Sequence, residues 1–485
     1  MIRTRTNSGR LVGEWDAGVA VFRGIPFAEP PVGELRWRPP RPAPAWDGER
    51  SAYYFGPAPL QPQPPRDSIM YHTNFADRRA LVMSEDCLYL NVWTPEPSAG
   101  LPVMVWIHGG GNRYGHGGQD VHDGREMARR GLVVVTLNHR LGALGFLAHP
   151  ELAAEDDLGA AGNYGLLDIV AALTWVRENI AAFGGDPDRV TLAGNSAGAA
   201  HICHLMASTA AWPLFRAAIG QSASGVGRAE GPLPDQAAAQ KQGLRWAEEF
   251  GDRSIAGLRR LGGVELILKG HFGPIVDGRV LTETTDEVFA AGRQHAVPLL
   301  VGTNLDEGSV YNSLDALRRL PVEPGSDEVY PVRNIDQARR TARQFTGESR
   351  FVHPVWQWAN AHRESARTWM YRFARTPPLP PRLDLAPPPD GLPDYGVHHT
   401  AELPYVLDNL DQRAWPWSET DRELARTMAD AWARFAGTGD PNGGGLPAWP
   451  AFTGAEVMVF GDTVEAGVLD RLEAMRLLAR IPRPL

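Results

Sequence analysis

The sequence predicts an α/β protein whose central sheet is mainly parallel and covered by helices on both faces. Several short apolar runs lack polar alternation, which is typical of strands buried on both sides. Helical patterns lie between them, and strands that alternate with helices indicate a parallel sheet. The strand-like runs are 103–107, 132–137, 190–193, 217–220 and 297–301, with weaker candidates at 368–373 and 457–460.

One helix is evident between two of these runs. Apolar residues recur at helical spacing from Leu166 to Val176, and the pair Gly184-Gly185 ends the pattern. We expect one domain over 1–485, with insertions at about 223–295 and 305–395 that cover the site. Two Pro-rich stretches, 56–66 and 376–393, are expected to be surface loops.

The composition limits the possible partners. The chain has 48 basic and 57 acidic residues, a net charge of −9, and no long basic run, which argues against a nucleic-acid surface. No apolar run is long enough to span a bilayer, and the first residues lack the apolar core of a signal peptide. Two cysteines, Cys87 and Cys203, favour free thiols. We therefore expect a cytoplasmic protein; the sequence leaves the oligomeric state open.

A candidate nucleophile, Ser196, lies at the centre of the turn GNSAG at 194–198. The strand-like run 190–193 precedes this turn and a helical pattern over 199–206 follows it, as a nucleophile elbow requires. The start of a helix also favours developing negative charge. The five-residue pattern is weak by itself in a chain with 52 glycines, since an ordinary tight turn has the same sequence.

A glycine-rich loop supports the interpretation of 194–198 as a nucleophile elbow rather than an ordinary tight turn. The run 103–107 leads directly into HGGG at 108–111, and three consecutive glycines are costly in conformational entropy. Such a loop lets backbone N–H groups face an oxygen that becomes negative during acyl transfer; losing one donor costs about 2.7–4 kcal/mol. We assign Gly110, Gly111 and Ala197 as these donors, with a flexible turn as the alternative.

The turn at 194–198, the loop at 108–111 and several further segments together resemble the type-B carboxylesterases, which include bacterial p-nitrobenzyl esterases and cholinesterases. The resemblance covers most of the chain and implies an α/β-hydrolase fold that hydrolyses a small-molecule ester. The sequence has no dinucleotide fingerprint and no P-loop, so we expect no cofactor and no metal. The matching segments are FRGIPFAEPPVGELRWRPP (22–40), EDCLYLNVWTP (85–95), VWIHGGG (105–111), NHRLGALGFL (138–147), 162–198, GTNLDEGS (302–309), HHTAELPYVLDNL (398–410) and TGDPN (438–442).

The resemblance also implies the other members of a catalytic triad. The family's acid lies in a GxNxDEGS-like segment, here Glu307, and its base lies in H-x-x-E-L-x-Y-V, which selects His399 rather than His398. His399 would accept the Ser196 proton and return it to the leaving alcohol, while Glu307 orients the imidazole. Ser222 resembles a serine often found near this family's site, where it either supports the triad or is an ordinary core-edge hydroxyl.

The chain departs from the family pattern at a few positions. Asn195 stands where a glutamate usually precedes the serine, and Asn112 replaces a common phenylalanine. Losing a carboxylate beside the site should weaken binding of cations. We therefore hypothesise that Asn195 supports a preference for neutral esters, with choline-like esters as poor substrates. Secreted relatives pair the Cys87 position with an upstream cysteine, which this chain lacks.

Alternative functions remain open at the level of sequence. The same triad could act on carbamates, amides or lactones, and some relatives are non-catalytic binding proteins. His201, Cys203 and His204 include metal-type ligands at helical spacing. Their place on the helix after the nucleophile favours core packing instead. The expected partner is a small-molecule ester, without nucleic acid or membrane.

Overall fold

A computed structural model describes residues 1–311 and 314–481. Its strands are β1 Ile2–Thr6, β2 Gly9–Asp16, β3 Val19–Pro26, β4 Glu49–Ser51, β5 Ala58–Pro59, β6 Met83–Ser84, β7 Tyr89–Thr94, β8 Leu101–Ile107, β9 Val133–Leu137, β10 Gly185–Asn195, β11 Ala217–Gln221, β12 Leu299–Asn304, β13 Thr368–Phe373, β14 Glu456–Phe460 and β15 Val464–Val468.

The α-helices of the described ranges are α1 Arg125–Arg129, α2 Gly142–Phe146, α3 Pro150–Ala154, α4 Tyr164–Asn179, α5 Ala197–Ala207, α6 Gln236–Glu248, α7 Ile255–Arg260, α8 Gly263–Ile267, α9 Thr285–Ala290, α10 Ser326–Val329, α11 Ile335–Gly347, α12 His353–His362, α13 Leu403–Val406, α14 Glu419–Thr438 and α15 Leu472–Leu478. Short 3₁₀ turns lie between them, including Glu307–Val310 and Leu314–Arg319.

The central sheet is parallel in its middle and antiparallel at its edges. Its order is β1-β2-β3-β7-β9-β8-β10-β11-β12-β13-β14-β15, with β4 beside β2. The pairings from β9 to β14 are parallel, while the first strands and β15 pair antiparallel. The predicted α/β-hydrolase fold, with its mainly parallel sheet, is confirmed. Because the parallel strands end at one edge, the loops that follow them meet there.

Each face of the sheet packs against its own group of buried apolar side chains. On β8, Val103, Val105 and Ile107 belong to one group, while Met104 and Trp106 belong to the other, as the two-residue period of a strand requires. Helices α4 and α5 complete the first group and α14 completes the second. Strands β9, β11, β12 and β13 are buried throughout, which explains why their sequences are mainly apolar and lack a regular polar alternation.

The expected insertion ranges differ in content. Residues 223–295 hold α6 to α9, whereas 305–395 hold α10 to α12 and also β13, which pairs with β12 and β14. The second range is therefore interrupted by a strand of the central sheet. The Pro-rich stretch 376–393 contains no helix or strand. Within the described ranges, no helix has the length and apolarity needed to cross a membrane.

Candidate active site

Ser196 occupies the junction between β10 and α5, which are separated by this residue alone. Its backbone has φ 54° and ψ −127°, a conformation that costs on the order of 1–3 kcal/mol for a residue with a side chain. The Ser196 N–H donates to the Gln221 carbonyl at 2.7 Å, which ties the turn to the end of β11. The surrounding strands thus hold the serine in a turn that exposes its hydroxyl.

The two glycines of the turn are required by close backbone approach. A Cβ at Gly194 would lie 2.7 Å from the Ile107 carbonyl oxygen, and a Cβ at Gly198 would lie 2.1 Å from the same oxygen. Real side chains do not fit at those distances. Only glycine lets the strand and the helix on either side of Ser196 pass so near to β8.

Ser196, His399 and Glu307 form a continuous hydrogen-bonded chain. His399 Nε2 lies 3.0 Å from Ser196 Oγ, and His399 Nδ1 lies 2.5 Å from Glu307 Oε2. An ionised Glu307 can only accept, so Nδ1 carries the proton and Nε2 is free to accept from the serine. His398 is directed elsewhere, with Nδ1 3.4 Å from the Gly396 carbonyl oxygen.

The second oxygen of Glu307 is also held in place. Glu307 Oε1 accepts from Ser222 Oγ at 2.6 Å and from the Asn304 backbone N–H at 2.7 Å. Glu307 is 1% exposed, so these donors replace solvent around the carboxylate. This contact agrees with Ser222 supporting the triad rather than being an ordinary core-edge hydroxyl.

The loops that carry Glu307 and His399 are joined beyond the strand ends. The Asp306 N–H donates to the Val397 carbonyl, and the Val397 N–H donates to Asp306 Oδ2, both at 2.9 Å. Asn304 Nδ2 donates to the His398 carbonyl at 2.9 Å. These three bonds fix two loops that are about ninety residues apart in sequence.

Aromatic rings limit the movement of the imidazole. The ring of Phe351 lies 4.5 Å from that of His399 and the ring of Tyr311 lies 5.4 Å from it, measured between centroids. Both residues belong to the range 305–395. This segment therefore contributes directly to the wall around the candidate base.

The glycine loop lies against the serine. A Cβ at Gly109 would be 3.0 Å from Ser196 Cβ, and Gly110 and Gly111 have positive φ values of 113° and 63°. The Gly110 carbonyl accepts from two following N–H groups at 3.0 Å, which closes a tight turn. Within the described ranges, the N–H groups of Gly110, Gly111 and Ala197 have no hydrogen-bond acceptor, so they remain able to bind an oxygen.

The Asn195 side chain donates a hydrogen bond to a buried glutamate of another loop. Its Nδ2 donates to Glu402 Oε1 at 2.7 Å, and its side chain is buried. Gln221 Nε2 donates to the same oxygen at 2.9 Å, and Asn304 Nδ2 donates to Glu402 Oε2 at 2.6 Å. Burial, followed by the nearby charge of Glu307, raises the pKa of Glu402, while the amide donors oppose that shift.

Sequence reasoning gave no role to Glu402, Asn304 and Gln221. The first two lie inside segments that carried the family resemblance, HHTAEL and GTNLDEGS, so a signal existed without an assigned contact. Gln221 ends β11 and had no comparable signal. The metal-type residues of α5, by contrast, are buried: His204 Nδ1 lies 2.6 Å from Thr285 Oγ1, and Cys203 Sγ lies 3.7 Å from Ser224 Oγ.

A parallel sheet with a strained serine after a central strand defines a hydrolase of the α/β class. The chain belongs to the Carboxylesterase family, whose profile matches residues 2–338 and 329–477. It is a carboxylic ester hydrolase and acts on small-molecule esters.

Similar proteins support this assignment over nearly the whole length. The chain is 37% identical to the fumonisin B1 esterase of Sphingopyxis macrogoltabida, covering 95% of this chain and 87% of that one. It is 35% identical to the para-nitrobenzyl esterase of Bacillus subtilis (strain 168), with 92% of each covered. A solved carboxylesterase of Geobacillus stearothermophilus superposes with a TM-score of 0.83 at 33% identity, covering 98% and 99%.

Proposed function

We propose that this enzyme hydrolyses carboxylic esters through an acyl-enzyme on Ser196. The observation that carries the proposal is the unbroken chain from Ser196 Oγ through His399 to Glu307 Oε2, with bonds of 3.0 and 2.5 Å. A serine hydroxyl is a weak nucleophile, and an adjacent base whose proton position is fixed by a carboxylate activates it.

In the first half of the reaction, Ser196 Oγ bonds to the ester carbonyl carbon while His399 Nε2 takes the hydroxyl proton. The C–O bond to the alcohol then breaks, and His399 delivers the proton to the departing oxygen. Buried Glu307 stabilises the imidazolium that exists between these transfers. Ser222 and the Asn304 N–H keep the carboxylate aimed at the ring.

The carbonyl oxygen becomes negative in the intermediate and requires donors that are already in place. The N–H groups of Gly110, Gly111 and Ala197 supply them in this proposal, supported by their free state and by their position beside Ser196. In the second half, His399 takes a proton from water, and the water oxygen bonds to the acyl carbon. The bond from that carbon to Ser196 Oγ then breaks, and His399 returns the proton to Ser196 Oγ as the acid leaves.

Neutral carboxylic esters are the proposed substrates, with choline-like esters as poor ones. The named activities of similar proteins involve fumonisin B1, p-nitrobenzyl esters and, for a human relative 34% identical, cocaine. Carbamates, amides and lactones would use the same residues. Esters take precedence because the para-nitrobenzyl esterase is similar over nine-tenths of both chains.

Ser196→Ala tests the mechanism directly. We expect kcat/KM for p-nitrophenyl acetate, butyrate and octanoate to fall by roughly 10⁴-fold or more, because the variant lacks the hydroxyl that lies within hydrogen-bonding distance of His399 Nε2. The matched control is Ser98→Ala, which alters an exposed hydroxyl and should leave the rates unchanged. Residual activity near the wild-type level in Ser196→Ala would refute the acyl-enzyme. Parallel assays with amide, carbamate and choline analogues define the substrate class.

A further inference from the structure

A cavity of about 380 Å³ adjoins the N-terminal turn of α5. Its lining includes Asn112, directly after the glycine loop, and Ala200, whose N–H donates to the Ser196 carbonyl at 3.1 Å. The opposite wall comes from the 223–295 segment and includes Arg228 and Phe272. The cavity therefore lies directly after the glycine loop and one helical turn beyond Ser196.

Parts of the cavity wall are polar and lack protein partners. Neither ring nitrogen of His201 has a hydrogen-bond partner within the described residues, although this side chain is only 1% exposed. Asn112 Oδ1 is likewise buried and unpaired there. Unpaired buried polar atoms cost about 1–3 kcal/mol each, so this wall is suited to a polar ligand or ordered water rather than an apolar chain.

Arg228 and Glu230 are the arginine and the carboxylate among the residues that line this cavity. Across the described ranges the Arg228 guanidinium forms no salt bridge and no hydrogen bond. Burial lowers the pKa of Arg228, while the charges of Glu230 and Asp286 oppose that shift. Both carboxylates also have other contacts. Glu230 pairs with Arg350 at 3.4 Å, with both side chains about half exposed, and Asp286 accepts the Gly227 N–H at 3.0 Å.

Other basic groups lie in the wall of the cavity or near it. Arg113 follows Asn112 and has a buried Nε without a partner among the described residues. His271 lines the cavity as well; burial, then the charges of Arg113 and Arg350, lower its pKa. Arg228 and Glu230 thus line the cavity itself, and Arg113 and Arg350 add positive charge close to His271. An unpaired, partly desolvated guanidinium is unfavourable until an anion binds.

We propose that this cavity binds an ionised carboxylate group of the substrate, with Arg228 as its counter-ion. The substrate class is then an ester that carries a second, free acid group. This inference rests on the proposed function, since the reacting ester carbonyl is placed at Ser196. It changes the proposed preference for neutral esters, because the substrate then carries a negative charge away from its reacting ester group.

The first experiment compares substrates that differ only in this charge. For an acid group on the acyl side, the pair is mono-(4-nitrophenyl) adipate and its carbon isostere 4-nitrophenyl 6-methylheptanoate. For an acid group on the alcohol side, the pair is the butyrate ester of 4-hydroxybenzoate and that of 4-hydroxyacetophenone. One pair should show a kcat/KM ratio at least about tenfold in favour of the anion, diminishing with added salt.

Variants assign that preference to Arg228. Arg228→Gln should lower the anion-to-neutral ratio by about tenfold or more, and Arg228→Lys should retain part of it because the charge remains. The matched control is Arg260→Gln, whose side chain is 72% exposed and pairs with Asp252; it should leave the ratio unchanged. A ratio below or near one for both pairs in wild type, or a ratio unaffected by Arg228→Gln, overturns the proposal.

A binding measurement separates this inference from the mechanism. Adipate titrated calorimetrically into Ser196→Ala should bind, and binding should weaken at least tenfold when Arg228→Gln is added. That result supports the carboxylate site even if Ser196→Ala remains active and the acyl-enzyme fails. Equal adipate affinity with and without Arg228 contradicts the site whatever the role of Ser196.

Discussion

The buried carboxyl group of Glu402 is surrounded by hydrogen-bond donors from neighbouring side chains. Three side-chain amides, from Asn195, Gln221 and Asn304, donate to its two oxygens at 2.6 to 2.9 Å. A carboxylate in such surroundings is satisfied as an acceptor without a cation. The residue before Ser196 is thus part of the support beneath the site, and a glutamate at this position would place a second carboxyl against Glu402.

Asn195→Glu should destabilise the protein in a pH-dependent way. Ionisation of two adjoining buried carboxyl groups is energetically unfavourable, so the pKa of the pair in the folded state rises above its value in the unfolded state. Folding then binds protons, and stability is retained near pH 5 but lost as pH rises toward 8. We expect a loss of about 1–3 kcal/mol at pH 8, measured by urea unfolding.

The uncharged isostere is the control for this substitution. Asn195→Gln has the size of glutamate without its charge, so any cost that it shows should be the same at pH 5 and pH 8. If the free energies of unfolding of the two variants keep a constant difference across this range, the added carboxyl does not interact with Glu402.

Among the elements, the contact of α5 with the end of β8 determines where Ser196 lies. Gly198→Ala inserts a methyl group 2.1 Å from the Ile107 carbonyl oxygen. We expect the free energy of unfolding to fall by roughly 2 kcal/mol and kcat to fall by about 100-fold, because the serine must shift. Urea unfolding and p-nitrophenyl butyrate hydrolysis measure these effects.

A glycine within another helix provides the comparison. At Gly437 in α14 an added Cβ would lie 3.7 Å from Pro102 Cγ, an ordinary contact. Gly437→Ala should leave the rate unchanged and raise stability by up to about 1 kcal/mol through helix propensity. If Gly198→Ala behaves in the same way, the close approach to β8 does not position the nucleophile.

Strands of the central sheet were predictable because burial on both faces removes polar alternation. All seven apolar runs lie in strands, but their ends differ: 190–193 is part of the longer β10, and the 297–301 run begins its ladder at Leu299, after Pro298. Proline lacks an N–H for the ladder. The ends depend on pairing with other strands, which a local pattern does not contain.

The parts of the site that require particular residue types in a motif were predictable from the sequence. The parts that depend on contacts between distant chain segments were not. Ser196, Glu307 and His399 were assigned from motifs, and the structure brings them within hydrogen-bonding distance. The three side-chain amides that donate to Glu402 come from chain segments about one hundred to two hundred residues away from it. The lining of the cavity likewise comes from several separate regions between Asn112 and Ile275, so neither appeared as a sequence pattern.

At the scale of the whole molecule, the chemical reactivity of the two cysteine thiols measures global unfolding. Cys87 and Cys203 are free and buried, as expected from their number. Burial raises the pKa of Cys203 to about 12 and also raises that of Cys87, so little reactive thiolate forms at neutral pH. We expect no reaction with an aromatic disulfide reagent in buffer and two thiols per chain after unfolding in urea.

The melting temperature should accordingly be independent of a reducing agent, because no disulfide contributes to stability. Scanning calorimetry with and without dithiothreitol provides this control. Rapid titration of either thiol in the native protein would show that the sheet faces open more readily than their packing indicates.

The bonds between Asp306 and Val397 have an evolutionary consequence. They close the chain between the acid and the base into a loop whose two ends are fixed by their own hydrogen bonds. Because the cost of closing a loop grows only slowly with its length, the stretch 376–393, which contains no helix or strand, can gain, lose or exchange residues without moving Glu307 or His399. The enzyme thus carries an interchangeable module, through which substrate choice can diverge among descendants while the chemistry is inherited intact.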